Sequence, residues 1–222
     1  MAGVELYDAM RTTGSTREFT DDPVPDEVLA RILDHARFAG SGGNRQPWHV
    51  IVLRDAALRA KVRDAYSRWW DVYLDGRARG LTPYHPGWDE PSPDAVAHRP
   101  NDFVDQMTER PPVMLLVCAL LGSLAVTDQA LERQSIVAGA SIYPFVHNLL
   151  LAATNEGLGA VLTTIVARAE VDLRPVLAIP DGYGIAALIG IGVPAQRVTK
   201  LTREPVDAFT TIDRFDGPAL TP

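Results

Sequence analysis

Apolar residues recur along this chain at two spacings. Intervals of three and four mark helices that bury one face, and short continuous apolar runs mark strands covered on both sides. Val28, Leu29, Ile32, Leu33 and Ala36 make one such stripe. Asp26 and Glu27 precede it, where carboxylates favour the helix dipole, so a helix is predicted over 26–39. Val4, Leu6, Tyr7 and Met10 predict a shorter one over 4–13. Asp55 can cap a helix over 56–74 that carries Leu58, Val62, Ala65, Tyr66, Trp69 and Tyr73 on one face. Short helices are expected over 101–110 and 171–179. The longest pattern, 128–155, is apolar over a wide arc, and Pro144 inside it should bend it. Strands are predicted over 48–53, 113–121, 160–166 and 183–193. Helices separate the strands, so the class is α+β or α/β.

Punctuation divides these elements. Gly40-Ser41-Gly42-Gly43-Asn44 has too many glycines for regular structure. Gly157-Leu158-Gly159 closes the long helical pattern, and Pro111-Pro112 precedes a strand. Residues 76–100 carry Pro83, Pro86, Pro91, Pro93 and Pro100 around Tyr84, His85 and Trp88, which reads as a lid over a site. No repeat and no break in composition appears, so residues 1–222 read as one domain with a lid-like insertion at about 76–100. The wide apolar arc of 128–155 makes that helix either central or a subunit interface.

Composition narrows the chemistry. At 222 residues, with 46% apolar and 22% charged, there is material for a sizeable core. The net charge of -7, without a basic run, argues against nucleic-acid binding. No apolar run is long enough for a membrane helix and no leader pattern opens the chain, so a soluble cytoplasmic protein is expected. Cys118 is the one cysteine, so no intrachain disulfide can form, and no basic residue neighbours it to make a thiolate. His35, His49, His85, His98 and His147 lack any metal-ligand spacing. Neither Gly157-Leu158-Gly159 nor Gly190-Ile191-Gly192 continues to the third glycine of a dinucleotide fingerprint. The chain shows no phosphate loop and no nucleophile elbow, and no acid, base or nucleophile stands out.

What remains is a set of separated polar turns: Ser15 with Arg17, 41–46, Thr163-Thr164, and Arg203 near the end. A hydroxyl and a guanidinium two residues apart suit a phosphate, but each turn taken alone is a weak signal, and a solvated arginine at a helix end is the better reading of Ser15 and Arg17 by themselves. Taken together and in order they resemble the FMN-dependent nitroreductase family, which includes the iodotyrosine deiodinases. Ser15-Thr16-Arg17-Glu18-Phe19 resembles that family's opening motif, and Gly40–Trp48 its Ser-x-x-Asn-x-Gln-Pro-Trp loop. Asn148–Ala153 followed by Gly157-Leu158-Gly159 resembles its central helix. Leu162-Thr163-Thr164 resembles the flavin-facing turn of the deiodinase branch, and Arg203 with Pro205 the C-terminal segment. The likeness covers nearly the whole chain except 76–100.

The resemblance implies an α+β fold with a central, mostly antiparallel sheet, flanking helices and a long central interface helix. It implies a homodimer with FMN at the interface. Ser15, Arg17 and Arg203 would hold the phosphate and ribityl chain. Ser41, Asn44 and Gln46 would sit near the ribityl and pyrimidine edge, or just behind it. Leu162, Thr163 and Thr164 would line the ring's O4/N5 edge, and Pro144 would approach the ring from the other subunit. The flavin would carry the chemistry, with NADH or NADPH as donor and a nitroaromatic or quinone-like acceptor taking turns over one flavin face. A dehalogenase, a desaturase, a flavin-degrading enzyme or a non-catalytic flavin-binding protein are the alternatives. Gly14 stands where the family carries a basic residue. That loss would cost the phosphate site about 1.5–3 kcal/mol, with Arg11 and Lys200 as possible replacements.

Overall fold

The computed structural model describes residues 4–81, 87–90 and 102–221. In chain order the elements are α1 (Leu6–Thr12), α2 (Asp26–Ala36), β1 (Trp48–Leu53), α3 (Ala56–Ala78), α4 (Phe103–Thr108), β2 (Val113–Leu120), α5 (Tyr143–Asn155), β3 (Gly159–Thr163), α6 (Glu170–Val176) and β4 (Tyr183–Gly192), with short 3-10 turns between some of them. The strands form one sheet in the order β1-β2-β4-β3, and every neighbouring pair is antiparallel. The fold is therefore α+β, and the parallel α/β alternative falls. Among the described residues no helix is long and apolar enough to cross a membrane.

Two cores sandwich the sheet, and the alternation of β2 feeds both. Leu115, Val117 and Ala119 face α2 and α5, meeting Leu29, Ile32, Phe145 and Leu149. Met114, Leu116 and Cys118 face α3, α4 and α6, meeting Val62, Tyr66, Met107 and Leu173. The register slips by one between Val117 and Cys118, which pair with Ala187 and Ile185. That bulge keeps both side chains of β4 on the correct faces. Trp48 lies flat on Phe145, ring centroids 4.8 Å apart, so β1 is fixed to α5 at the start of the strand.

The expected helix over 128–155 does not form as one element. Only Tyr143–Asn155 is helical, and Pro144 lies in its first turn. A proline there lacks nothing, because the first N–H groups of a helix have no internal partner. Pro144 therefore starts α5 rather than bending a longer helix. Residues 127–142 fold instead around Asp128, which is 5% exposed. Its carboxylate accepts from the Ile136 N–H (3.0 Å), the Ser135 hydroxyl (2.7 Å) and Arg133 (2.8 Å). These bonds hold the Asp128 carboxyl well below the usual carboxylate range.

Other boundaries move less. α3 is capped by Asp55 as expected, its carboxylate accepting from the Leu58 N–H at 2.8 Å. It runs one turn beyond the expected end, and Gly80, at φ 76°, closes it. β3 stops at Thr163, where a 3-10 turn over Ile165–Ala169 takes the chain away. Of the expected insertion at 76–100, residues 76–78 continue α3, while 82–86 and 91–100 lie outside the described residues.

Candidate functional site

The chain leaving α1 runs extended along the edge of β3. The Thr16 N–H donates to the Ala160 carbonyl at 2.9 Å, and Ser15 pairs with Ala160. Two further backbone bonds, Thr20 to Val193 (2.9 Å) and Ala195 to Glu18 (3.0 Å), extend this pairing past the end of β4. An extended segment alternates its faces. Thr16 is buried against Gly159, where a Cβ would stand 2.7 Å from the Thr16 Cβ. Gly14 faces the same way, and a Cβ there would meet Leu201 at 3.0 Å and Val198 at 3.1 Å. Ser15 and Arg17 point to the other side and are exposed. The missing basic side chain at Gly14 would thus have pointed away from Ser15 and Arg17. Glycine stands there because the tail packs onto it.

Arg17 makes no ion pair among the described residues; its guanidinium lies 5.4 Å from the centre of the Phe103 ring. Glu18 is tied to Arg110, two residues beyond α4, at 2.5 Å. The Leu201 contact brings the tail alongside this turn. Two residues on, Arg203 is exposed, and among the described residues its side chain donates to its neighbour, the Thr202 carbonyl, at 2.7 Å. Arg17 thus keeps donors for an anion on the face it shares with Ser15, while the tail contact through Leu201 lies on the opposite, Gly14 face.

β3 carries the next group. Leu162 pairs with Ile189 and leans on the core of α2 and α5. Thr163, 8% exposed, points to the opposite face. Its hydroxyl lies 3.3 Å from the Tyr66 phenol and accepts from the Ile165 N–H at 3.4 Å. Thr164, the next residue, is exposed. Of the three expected ring contacts, Thr164 alone presents its side chain outward.

The glycine loop is held by its own polar atoms. The Asn44 N–H donates to the Ser41 carbonyl (2.9 Å) and the Gln46 N–H to the Ser41 hydroxyl (3.0 Å). The Gln46 amide donates to Asn44 Oδ1 at 3.2 Å. Gly43, Asn44 and Gln46 have φ of 60°, 53° and 47°. The left-handed region is natural for glycine and asparagine and strained for glutamine, so the Ser41 hydroxyl offsets that strain. The Gly42 N–H donates to the buried Ser141 hydroxyl at 3.0 Å, which brings the loop to the start of α5 and to Pro144. Pro144 is exposed and lines a cavity of about 640 Å³ with Leu124, Ile136 and Tyr143.

The expected site residues thus fall into two groups. Ser15, Arg17, Leu162, Thr163 and Thr164 gather at β3, with Arg203 in the adjoining tail. Ser41, Asn44, Gln46 and Pro144 gather at the start of β1 and α5. β1 and β3 are opposite edges of the sheet. Three strand spacings put the groups about 14 Å apart across the sheet. Thr163 pairs with Leu188 and Trp48 leads through Ala119 to Gly184, so the groups are also offset along the strands.

Residues 87–90 form a strap tied to the turn after β3 and to the end of α3. Asp89 pairs with Arg168, in the turn that follows Thr164, and Arg168 lies 4.4 Å over the Trp69 ring. Arg79 donates to the carbonyls of Trp88 (3.3 Å) and Glu90 (3.1 Å). Trp88 meets Tyr73 edge-on at 6.4 Å. Behind the strap and Arg17 the rings of Tyr66, Trp70 and Phe103 stack in series. Tyr66, Ser141 and Arg168 were not marked in the sequence. Tyr66 sat in an ordinary apolar stripe, and the other two had no motif. Elsewhere, burial pushes the Cys118 thiol up to about 11, which leaves it inert. No metal-binding cluster occurs among the described residues.

A family model for the nitroreductase family matches residues 10–193. The chain belongs to the nitroreductase family. Among its relatives in this family is the chloronitrobenzene nitroreductase of Comamonas testosteroni, 27% identical, with 93% of this chain and 96% of the relative covered. The iodotyrosine deiodinase of Hydra vulgaris is 26% identical over 91% of this chain and 71% of its own. The nitroreductase fold is also seen in a Desulfovibrio desulfuricans protein solved in complex with FMN. It superposes with a TM-score of 0.66 at 23% identity, covering 96% of this chain and 99% of the other.

Proposed function

We propose that this protein is an FMN-dependent oxidoreductase that works as a homodimer, taking electrons from NADH or NADPH and passing them to a nitroaromatic or quinone-like acceptor. The observation that carries the reading is the donor set at the β3 edge. Exposed Ser15 and Arg17 share one face of this segment, Arg17 makes no ion pair among the described residues, and this pair suits a phosphate, to which Arg203 would add a charge from the tail. FMN, when bound, supplies the redox chemistry, accepting and giving up a hydride in turn. Arg17 and Arg203 neutralise its phosphate, and Ser15 adds a hydroxyl. Thr164 faces the ring edge. Because the flavin would carry the hydride, this reading needs no protein acid or base.

The second group supports the dimer. Ser41, Asn44, Gln46 and Pro144 stand at the opposite edge of the sheet from Arg17 within one chain, and in this reading a second copy supplies them. Leu6, Tyr7 and Met10 on α1 and Phe209 and Phe215 in the tail are exposed, Phe215 fully so. These apolar residues favour burial against another surface. A reductive dehalogenase is the second reading, favoured by the Leu162-Thr163-Thr164 turn and the likeness to a deiodinase.

The test is direct. The purified protein should be yellow, carry about one FMN per chain, and run as a dimer. It should oxidise NADH or NADPH with menadione or a nitrofuran as acceptor. A colourless protein that FMN cannot reconstitute overturns the reading. Slow reduction by NADPH at normal flavin content selects the dehalogenase.

A further inference from the structure

The Thr163 hydroxyl is where two hydrogen bonds meet. The Ile165 N–H donates to it at 3.4 Å, and the Tyr66 phenol lies 3.3 Å away. Both side chains are buried, Tyr66 completely and Thr163 to 8% exposure. Tyr66 belongs to α3 and Thr163 to the last position of β3, 97 residues apart. The pair therefore ties the end of a strand to the helix that covers it. Directly after it the backbone turns: Thr164 has φ -107° and ψ -8°, and its carbonyl accepts from the Ala167 N–H at 3.0 Å.

Burial pushes the Tyr66 phenol up to about 12, against the Thr163 hydrogen bond and the nearby positive charge of Arg17. The phenol stays protonated over any ordinary working pH and can donate. A threonine hydroxyl offers two acceptor positions, so one oxygen can take both the phenol O–H and the amide N–H. Loss of the phenol oxygen would leave the buried hydroxyl with one long bond.

We propose that Tyr66 is a positioning residue for the cofactor-facing turn. It holds the Thr163 hydroxyl, which fixes the Ile165 amide and leaves Thr164 as the side chain that meets the ring edge. Thr163 is thus a support behind the site and not a ligand in it. This inference rests on the flavin reading above, and it adds a residue that the motif does not contain.

The test compares Tyr66→Phe, Thr163→Val, the double variant and Thr164→Val, each reconstituted with FMN. The readouts are the visible spectrum and midpoint potential of the bound flavin and its dissociation constant. Tyr66→Phe and Thr163→Val should shift spectrum and potential in the same direction, each weakening FMN about fivefold. The double variant should be no worse than the worse single one, because both remove one link. Thr164→Val should change the spectrum independently. A Tyr66→Phe protein with wild-type spectrum, potential and affinity overturns the proposal. So does full additivity with Thr163→Val, which would put Thr163 on the ligand itself. If wild-type protein takes no FMN, the flavin reading has failed, and the turn is then read by amide hydrogen exchange. Faster exchange at Ile165 in Tyr66→Phe supports the positioning role, and unchanged exchange ends it.

Discussion

Gly159→Ala puts the most weight on the geometry around Arg17. Gly159 opens β3 beside Ala160, the residue that pairs with Ser15. A Cβ at 159 would stand 2.7 Å from both the Cβ and the Cγ2 of Thr16, against 3.4–4 Å for ordinary contact, and closer still to Oγ1. Thr16 cannot swing away, since it is 8% exposed and its N–H is bonded to the Ala160 carbonyl. The segment 14–17 must therefore lift from β3 by about 0.7 Å, and Ser15 and Arg17 go with it. Overpacking of this kind costs about 2 kcal/mol. In a chain of this length that lowers Tm by about 4–8 °C. A displacement approaching 1 Å at the phosphate donors should weaken FMN on the order of tenfold or more. Thermal melts of cofactor-free protein and fluorescence titration with FMN measure the two effects separately. Thr16→Gly in the Gly159→Ala background removes the clashing atoms and should recover most of the affinity. Were Gly159→Ala to bind FMN as the wild type does, the pairing of 14–17 on β3 would not be what places Arg17.

Three further outcomes follow from the same contacts. Arg17→Ala should fold normally, since Arg17 is exposed, and should bind FMN about 10- to 150-fold more weakly by titration, the worth of a charge-assisted hydrogen bond; unaltered affinity would remove Arg17 from the site. Arg168→Ala and Asp89→Ala each release the strap, so limited proteolysis at 87–90 should speed up, while the unfolding free energy from urea titration falls by under about 1 kcal/mol because the pair is part-exposed; unchanged cleavage would mean that the pair does not hold the strap. Asp128 is held below the ordinary carboxylate range by Ile136, Ser135 and Arg133, so its stabilisation is complete above the unfolded value and disappears as pH falls through the folded one. Asp128→Asn should therefore be less stable than the wild type at neutral pH and lose less on acidification, and parallel stability curves against pH would contradict this.

Most of the fold was legible because it depends on periodicity. β1 was placed to the residue, β2 to within one, and α2 at its correct start, each from local apolar spacing and a capping or punctuating residue. The helix over 128–155 failed because periodicity cannot see a buried carboxylate. Asp128 offers the chain a set of hydrogen bonds that compete with a helical ladder, and Pro144 is as good a start as it is a break. The polar turns stand out only as an ordered set, since each alone reads as solvated surface. Their division into two groups was not legible, since it follows from strand order, which no local pattern records. Tyr66 was hidden for a different reason. A tyrosine in an apolar stripe looks the same whether its hydroxyl meets water or a threonine 97 residues away.

The division of the site has a thermodynamic consequence under the homodimer reading. A ligand held by Arg17 of one copy and by the Ser41–Gln46 loop of the other binds the pair more tightly than either chain alone. Linkage then requires that FMN strengthen association by the same factor by which association strengthens FMN binding. The free energy gained by the second group cannot appear in a monomer, however intact its β3 edge. Changes at Gln46 or Ser41 should therefore weaken FMN and the cofactor-loaded dimer together, and leave the dimer of the empty protein untouched. Changes at Arg17 should do the same from the other half, although Arg17 and the loop never meet within one chain. Weakened FMN at Gln46→Ala without any loss in association of the loaded protein would place the loop outside the site and return the reading to a single-chain pocket at β3.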